Sequence, residues 1–276
     1  MIVVTGATGN VGRALVGMLV EAGERVTAVS RRAPEGAGGA LPTGVRHVSA
    51  DLADPAALRP ALEGADALFL LVAGEDPLGV LEQARAAGVR RIVLLSSQGV
   101  GTRPEAYGHP AAFEAAVAAS GLEWTVLRSG GLASNAYAWA EPVRSGRTAA
   151  APFGDVGLPF VDPEDVAAVA AVVLREDGHH GATYVLTGPA PVTPRERAAA
   201  IAEAIGADVD FREQTAAQAR AQLVEVMPPA VADGTLAILG APTPEERRPS
   251  PDVERLLGRP ARDFAAWARR NAVAFR

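Results

Sequence analysis

Short runs of β-branched and aliphatic residues alternate with longer Ala-rich stretches through the first half of the chain, a pattern that predicts βαβ units around a parallel sheet. Strands are expected near Ile2 to Thr5, Arg25 to Ser30, Arg46 to Ser49, Ala67 to Val72, Arg91 to Ser96 and Glu123 to Arg128. Helices are expected between them near Val11 to Ala22, Pro55 to Leu62, Pro77 to Ala87 and Ala111 to Ser120. Each closes at or near a glycine, Gly23, Gly64, Gly88 or Gly121, as helix C-termini favour. Asp54 before Pro55 reads as an N-cap followed by the first helical residue, which is a structural pairing.

After Arg128 the texture turns to Gly, Pro and Asn loops, followed by a helix near Pro163 to Arg175 and a strand near Thr183 to Thr187. From Thr193 onward helices are expected at Pro194 to Ile205, Ala216 to Val226, Pro229 to Leu239 and Asp263 to Asn271, with a short strand at Asp208 to Arg212. Pro228-Pro229 and Pro242 to Pro251 read as surface connections, and no internal repeat is visible.

Composition narrows the classes. The 276 residues, 49% hydrophobic and 21% charged, suit one large globular domain or a domain with a smaller lobe. No apolar run reaches the ~18 residues that cross a bilayer, and no basic leader precedes the first strand, so a soluble, cytoplasmic protein without a membrane partner is expected. The chain has no Cys and only 4 scattered His, so thiol chemistry is excluded and no metal site is expected. His179 and His180 are adjacent in a loop, a poor spacing for a shared ion. A net charge of -6 without a local basic patch argues against nucleic-acid binding. All 26 residues of the Lys and Arg total are Arg. No mechanism that needs a lysine is open to this chain.

Thr5 to Gly12 reads Thr-Gly-Ala-Thr-Gly-Asn-Val-Gly, directly after the first strand and opening the first helix. Gly6 permits the tight turn, Gly9 lets backbone amides approach a pyrophosphate, and Gly12 lets the helix pack close to the strand. The positive end of the helix then faces the phosphates, with Thr8, Asn10 and Val11 in the same turn. The expected fold class is therefore α/β, a Rossmann doubly wound parallel sheet with a smaller, mainly helical C-terminal substrate lobe. Residues 1–130 form the expected dinucleotide-binding core, to which 156–190 return, while 131–155 and 191–276 form the lobe. The end of the second strand reads Ser30-Arg31-Arg32, with no acid before Glu35. An acid there would bind a ribose 2′-hydroxyl, whereas Arg favours a 2′-phosphate, so NADPH is expected over NADH. The alternative is two solvated surface arginines.

Taken together, the glycine pattern, Ala50 to Leu52, Ser96-Ser97 ending a strand, Ser120 to Arg128, Asn135 and Val161 to Ala167 resemble the NmrA-like branch of the atypical short-chain dehydrogenase/reductase superfamily. The resemblance implies that Asp51 reaches the adenine with Leu52 beside it, although a turn-capping carboxylate is an equal reading. It also implies that Val72, Ala73 and Gly74 lie beside the cofactor's ribose and phosphates, and that Ser96, Ser97 and Gln98 lie under the nicotinamide. Strand capping is the alternative for the serines.

The superfamily commonly pairs a Tyr with a Lys four positions later, which lowers the phenol pKa. Here Tyr107 is followed at that spacing by Ala111. Hydride transfer to a quinone fits this absence, because the oxygen that becomes anionic is delocalised and weakly basic. Gln98 and His109 are the candidate donors to that oxygen, with an exposed His near a helix start as the plainer reading of His109. Phe113, Leu132, Asn135, Trp139 and Phe160, with Tyr137 and Phe153 nearby, suggest a flat apolar pocket for a planar aromatic substrate, or else the packing of the lobe.

The resulting expectation is an NADPH-dependent reductase of a quinone or polycyclic hydroxyquinone, such as an aromatic polyketide. The resemblance also covers non-catalytic NADP(H)-binding redox sensors, the competing reading; an epimerase is disfavoured by the missing acid-base pair. No sequence feature specifies an oligomer. In calorimetry NADPH should bind more tightly than NADH by ~ten- to a hundredfold, the scale of one charge-assisted contact. Arg31→Asp should weaken or reverse that preference, and equal affinities in the unmodified protein would overturn the cofactor assignment.

Overall fold

In the computed structural model, which describes residues 1–33 and 41–276, a seven-stranded parallel sheet forms the centre of the chain. The N-terminal half runs β1 (Ile2–Thr5), α1 (Asn10–Glu21), β2 (Val26–Ser30), β3 (Arg46–Ser49), α2 (Arg59–Leu62), β4 (Ala67–Leu71), α3 (Pro77–Ala86), β5 (Arg91–Ser97), α4 (Gly99–Thr102), α5 (Gly108–Ala119) and β6 (Glu123–Ser129). After it come α6 (Ala140–Gly146), β7 (Thr148–Ala151), α7 (Pro163–Arg175), β8 (Ala182–Leu186), α8 (Pro194–Ile205), β9 (Asp210–Glu213), α9 (Ala216–Leu223), α10 (Pro229–Gly240), α11 (Pro244–Arg247), α12 (Asp252–Leu257) and α13 (Phe264–Arg270). The sheet order is β3-β2-β1-β4-β5-β6-β8, and β7 pairs in parallel with β9 in a separate two-stranded sheet. Among the described residues no helix is long and apolar enough to cross a membrane.

Both faces of the large sheet are covered, so its strands read as nearly continuous apolar runs. On one face α1 and α7 pack together through Leu15, Val16 and Leu19 against Val166, Ala170 and Val173. On the other, α3 and α5 lie over Leu68, Leu70, Ile92 and Leu94. Each such fully buried Leu or Ile contributes ~1.5 to 3 kcal/mol relative to exposure. A third apolar cluster, built on Trp139, Ile201, Phe264, Trp267 and Phe275, holds α6, α8 and α13 together.

Gly23, Gly64, Gly88 and Gly121 all have positive φ, as expected of the residues that end these helices. Asp54 accepts the Ala56 amide as the expected N-cap. Elsewhere the elements differ from expectation. The segment from Pro55 starts as a 3₁₀ turn (Pro55–Leu58) and becomes α2 only at Arg59, because Pro60 has no amide to donate. Helix α5 starts at Gly108 rather than Ala111, since Pro110 falls in the first turn, where no intrahelical donor is needed. The expected loops after Arg128 contain a 3₁₀ segment (Ala133–Trp139), α6 and β7. The expected connection from Pro242 to Pro251 contains α11, started by a Thr243/Glu246 capping box, and α12 follows it.

Charged pins join the distal chain to the sheet. Asp165, fully buried on α7, accepts from the Arg259 guanidinium at 2.7 Å and from the Arg262 amide and guanidinium at 2.6 Å. Asp162, next to it, pairs with Arg270. Val253, Leu256 and Leu257 of α12 pack into the same layer as α7.

Candidate active site and cofactor cleft

Close backbone packing shapes the β1–α1 turn. Gly6 has φ +63°, and a Cβ on Gly12 would lie 2.2 Å from the Gly6 carbonyl oxygen, so neither position admits another residue without a shift. Gly9 caps α1 without a side-chain hydrogen bond, which leaves the first helical amides free for an anion. Thr8, Gly9 and Asn10 border a cleft of about 620 Å³ whose other wall includes Tyr137, Asp162 and Ser134. The Ser134 hydroxyl is buried there without a hydrogen-bond partner. Val11 and Gly12 lie below this surface in the core.

Gly74, at φ +78°, is held as closely, since a Cβ on it would meet the Leu52 carbonyl oxygen at 2.6 Å. Val72 and Ala73 are half-buried beside it. Asp51 is exposed, and one of its oxygens accepts the Ala53 amide at 3.0 Å, so the turn-capping role is present in the geometry. Leu52 beneath it is buried. Arg31 and Arg32 are both exposed at the end of β2. Their carbonyls are held by the hydroxyls of Ser49 and Ser30, and neither guanidinium forms an ion pair among the described residues. Glu35, the first acid after them, lies outside the described residues.

Beyond the carboxyl ends of β5 and β6 lies an apolar-walled cavity of about 230 Å³, where ligands of doubly wound sheets bind. Ser97, Gln98 and Tyr107 line its floor, Asn135, Leu158 and Phe160 one side, and Thr235, Ile238 and Leu239 of α10 its roof. Gln98 is held by donating Nε2 to the Glu245 carbonyl at 3.3 Å. The Tyr107 ring packs on Gly99, where any Cβ would lie 2.3 Å from it. Burial pushes the Tyr107 phenol above its usual pKa, against the opposing hydrogen bond to Ser97. At neutral pH it is a protonated donor.

Ser96, Phe113, Leu132, Trp139 and His109 stand apart from this lining. Neighbouring residues on a strand point to opposite faces. Ser96 accordingly turns away from the cavity and donates to Glu114 at 2.6 Å, in a network where Arg128 also binds that carboxylate. Phe113, on the sheet-facing side of α5, is fully buried. Trp139 is in the third apolar cluster and donates its indole N–H to the Ala150 carbonyl at 2.8 Å, while Leu132 forms a backbone bridge with Val161 and packs towards α7. Aromatic or apolar type marks these side chains equally for a pocket or a core. His109 shares a hydrogen bond with the Gly74 carbonyl at 2.8 Å and meets the Phe113 ring edge-on, which ties it to the loop after β4.

Glu246 joins the cavity wall, a residue that the sequence reading did not single out. Burial pushes its pKa up, but hydrogen bonds from Arg103, the Thr243 backbone and Thr102 outweigh this and hold it below the usual carboxylate value. Arg103 lies 143 positions away, so only the local Thr243-x-x-Glu246 pattern was open to sequence reading.

Residues 6–177 match the NAD(P)H-binding family, and the chain belongs to it. It is an NAD(P)H-binding protein on the fold of the NADPH-dependent quinone oxidoreductase of Escherichia coli, solved with NADPH, which superposes with a TM-score of 0.79 over 97% of this chain and 98% of that one at 28% identity. Over its whole length the chain is 39% identical to the (4-alkanoyl-5-oxo-2,5-dihydrofuran-3-yl)methyl phosphate reductase of Streptomyces griseus, covering 99% of that protein. It is 31% identical to an NAD(P)H azoreductase of Xenophilus azovorans, covering all of this chain and 99% of that one.

A neutral phenol with no lysine beside it is a hydrogen-bond donor and not a tuned acid. Tyr107→Phe should retain kcat within about tenfold, whereas loss of a true general acid removes ~10² to 10⁴. A larger fall in kcat at unchanged KM would show that another group activates the phenol.

Proposed function

We propose that the protein is an NADPH-dependent reductase that transfers hydride to an electron-poor, conjugated acceptor of the quinone class without a protein general acid. The observation that carries this reading is the cavity beyond β5 and β6, where a protonated Tyr107, Ser97 and Gln98 meet apolar walls and no lysine exists to complete an acid pair. The glycine turn fits a dinucleotide, with Gly6 and Gly9 at the pyrophosphate, Gly12 drawing α1 close to the turn, and Arg31 and Arg32 at a 2′-phosphate. When bound, the nicotinamide supplies a hydride; the quinone takes up that hydride and one solvent proton to leave as hydroquinone, and the cofactor leaves as NADP⁺.

The chain's own residues bind and orient. Leu158, Phe160, Ile238 and Leu239 exclude water around the ring, and proximity of this kind lowers a barrier by ~7 to 11 kcal/mol. Tyr107 and Gln98 donate to the oxygen on which charge develops. The named substrates of the relatives support this chemistry: the furanone carries a ring alkene conjugated to carbonyls, and quinones and azo dyes likewise accept an electron pair into a conjugated system. The cavity is smaller than the ~300 to 1,000 Å³ typical of drug-sized ligands, which favours a one- or two-ring acceptor over a polycyclic polyketide.

NADPH oxidation should be at least ~10²-fold faster in kcat/KM with benzoquinones or naphthoquinones than with simple ketones, which need the missing acid. Tight NADP⁺ binding with no reduction of any conjugated acceptor would overturn the reading in favour of the sensor.

A further inference from the structure

Phe160 closes the cavity of about 230 Å³ beyond β5 and β6, and it also borders a second cavity of about 310 Å³. Among the described residues it is the one residue shared by the two linings. The second cavity is walled by Pro189, Pro191, Val192, Ala200 and Phe264, and it meets solvent at the exposed residues Glu196 and Asp263. Its interior is therefore apolar and its rim acidic.

The partition between the two spaces is firmly held. Leu158 lines the first cavity and its carbonyl accepts the amide of Val192, which lines the second, at 2.9 Å. The next carbonyl, that of Pro159, accepts the Gly188 amide at 3.0 Å, and the Val161 amide donates to Gly131 at 2.9 Å. A Cβ on Gly131 would lie 2.8 Å from the Phe160 ring, and the Arg197 guanidinium lies 4.1 Å from the ring centroid. Close backbone on one side and a cation–π contact on the other leave the ring little room to turn. Arg197 itself lines neither cavity. An apolar pocket gains affinity from each methylene it can bury, whereas forcing a group into a filled space is unfavourable. Here the room for added methylenes lies beyond a single fixed ring.

We propose that Phe160 is a specificity-determining residue that sets the length of acceptor the protein recognises: by walling off the second cavity it confines recognition to a compact conjugated ring and gives no advantage to a long alkyl chain. The class selected is then a quinone with small substituents, and the long-chain lipid quinones are not favoured. The proposal rests on the reductase reading for the identity of the ligand, but its geometric content is read from binding without turnover.

The test measures, by calorimetry, the affinities of the full-length protein with NADP⁺ for 2-methyl- and 2-hexyl-1,4-benzoquinone. NADP⁺ has no hydride to give, so binding is separated from turnover, and the chain has no Cys or Lys side chain for a quinone to arylate. In the unmodified protein the hexyl compound should bind no more tightly than the methyl compound. Phe160→Ala should create a preference for the hexyl compound of about tenfold or more, because its chain then reaches an apolar space. Phe160→Leu, which keeps an apolar side chain in the wall, should move the preference the same way by a smaller factor. Ala200→Trp, which fills the second cavity, should abolish the gain when added to Phe160→Ala and should leave the selectivity unchanged on its own.

A preference of about tenfold for the hexyl compound in the unmodified protein, unchanged selectivity in both Phe160 variants, or a gain that survives Ala200→Trp would overturn the proposal. Any of these in a protein that oxidises NADPH with a benzoquinone would leave the reductase reading in place. The expected pattern in a protein that oxidises no NADPH would instead retain the role of Phe160 and remove the reductase reading, and binding of neither quinone would overturn both.

Discussion

The contact between Gly12 and the Gly6 carbonyl sets the geometry on which the rest of the molecule relies. A Cβ at Gly12 would overlap that oxygen at 2.2 Å, so α1 can leave β1 at this closeness only with glycine in place. The close approach brings Leu15, Val16 and Leu19 into the layer shared with α7, and it turns the free amides of the first helical turn towards the cleft. One steric constraint thus joins core packing to the shape of the cleft. The left-handed conformations at Gly6 and Gly74 extend the same surface along the sheet edge.

The second layer of organisation is ionic. A sheet of this kind can bind a dinucleotide alone, but a reductase also needs a cavity at the nicotinamide end. The cavity beyond β5 and β6 is roofed by α10 and closed by α11, whose Glu246 is bound at 2.8 Å by Arg103 at the end of α4. Asp165 and Asp162 hold the C-terminal segments against α7 in the same way. Breaking one partner of such a buried pair costs ~3 to 5 kcal/mol, so these pins define position as well as adding stability.

Much of the fold was legible because its signals are local. Apolar runs bounded by Gly23, Gly64, Gly88 and Gly121 mark strands and helix ends within a few residues of each other. The glycine turn carries its chemistry in eight consecutive positions. The cavity is different, since it forms where α10, α11 and the ends of β5 and β6 meet across more than a hundred residues. Phe160 and Asn135 fall in its lining and Phe113 and Trp139 in the core, a distinction set by orientation, which residue type does not encode. Strand alternation did offer a way to separate Ser97 from Ser96. The Thr243/Glu246 capping box likewise marked α11 within a stretch whose prolines read as a connection.

On the proposed reading, hydride transfer proceeds without a titrating protein acid, because the acceptor's own conjugation stabilises the charge. The most direct measurement is the single-turnover oxidation of NADPH by a benzoquinone, compared with NADPH deuterated at C4 and repeated from about pH 6 to 9. The account predicts a slower reaction with the deuterated cofactor and a rate constant that stays flat across that range. A rate constant that falls through a single ionisation within it would contradict the account, by showing that a protein group delivers the proton in the transition state.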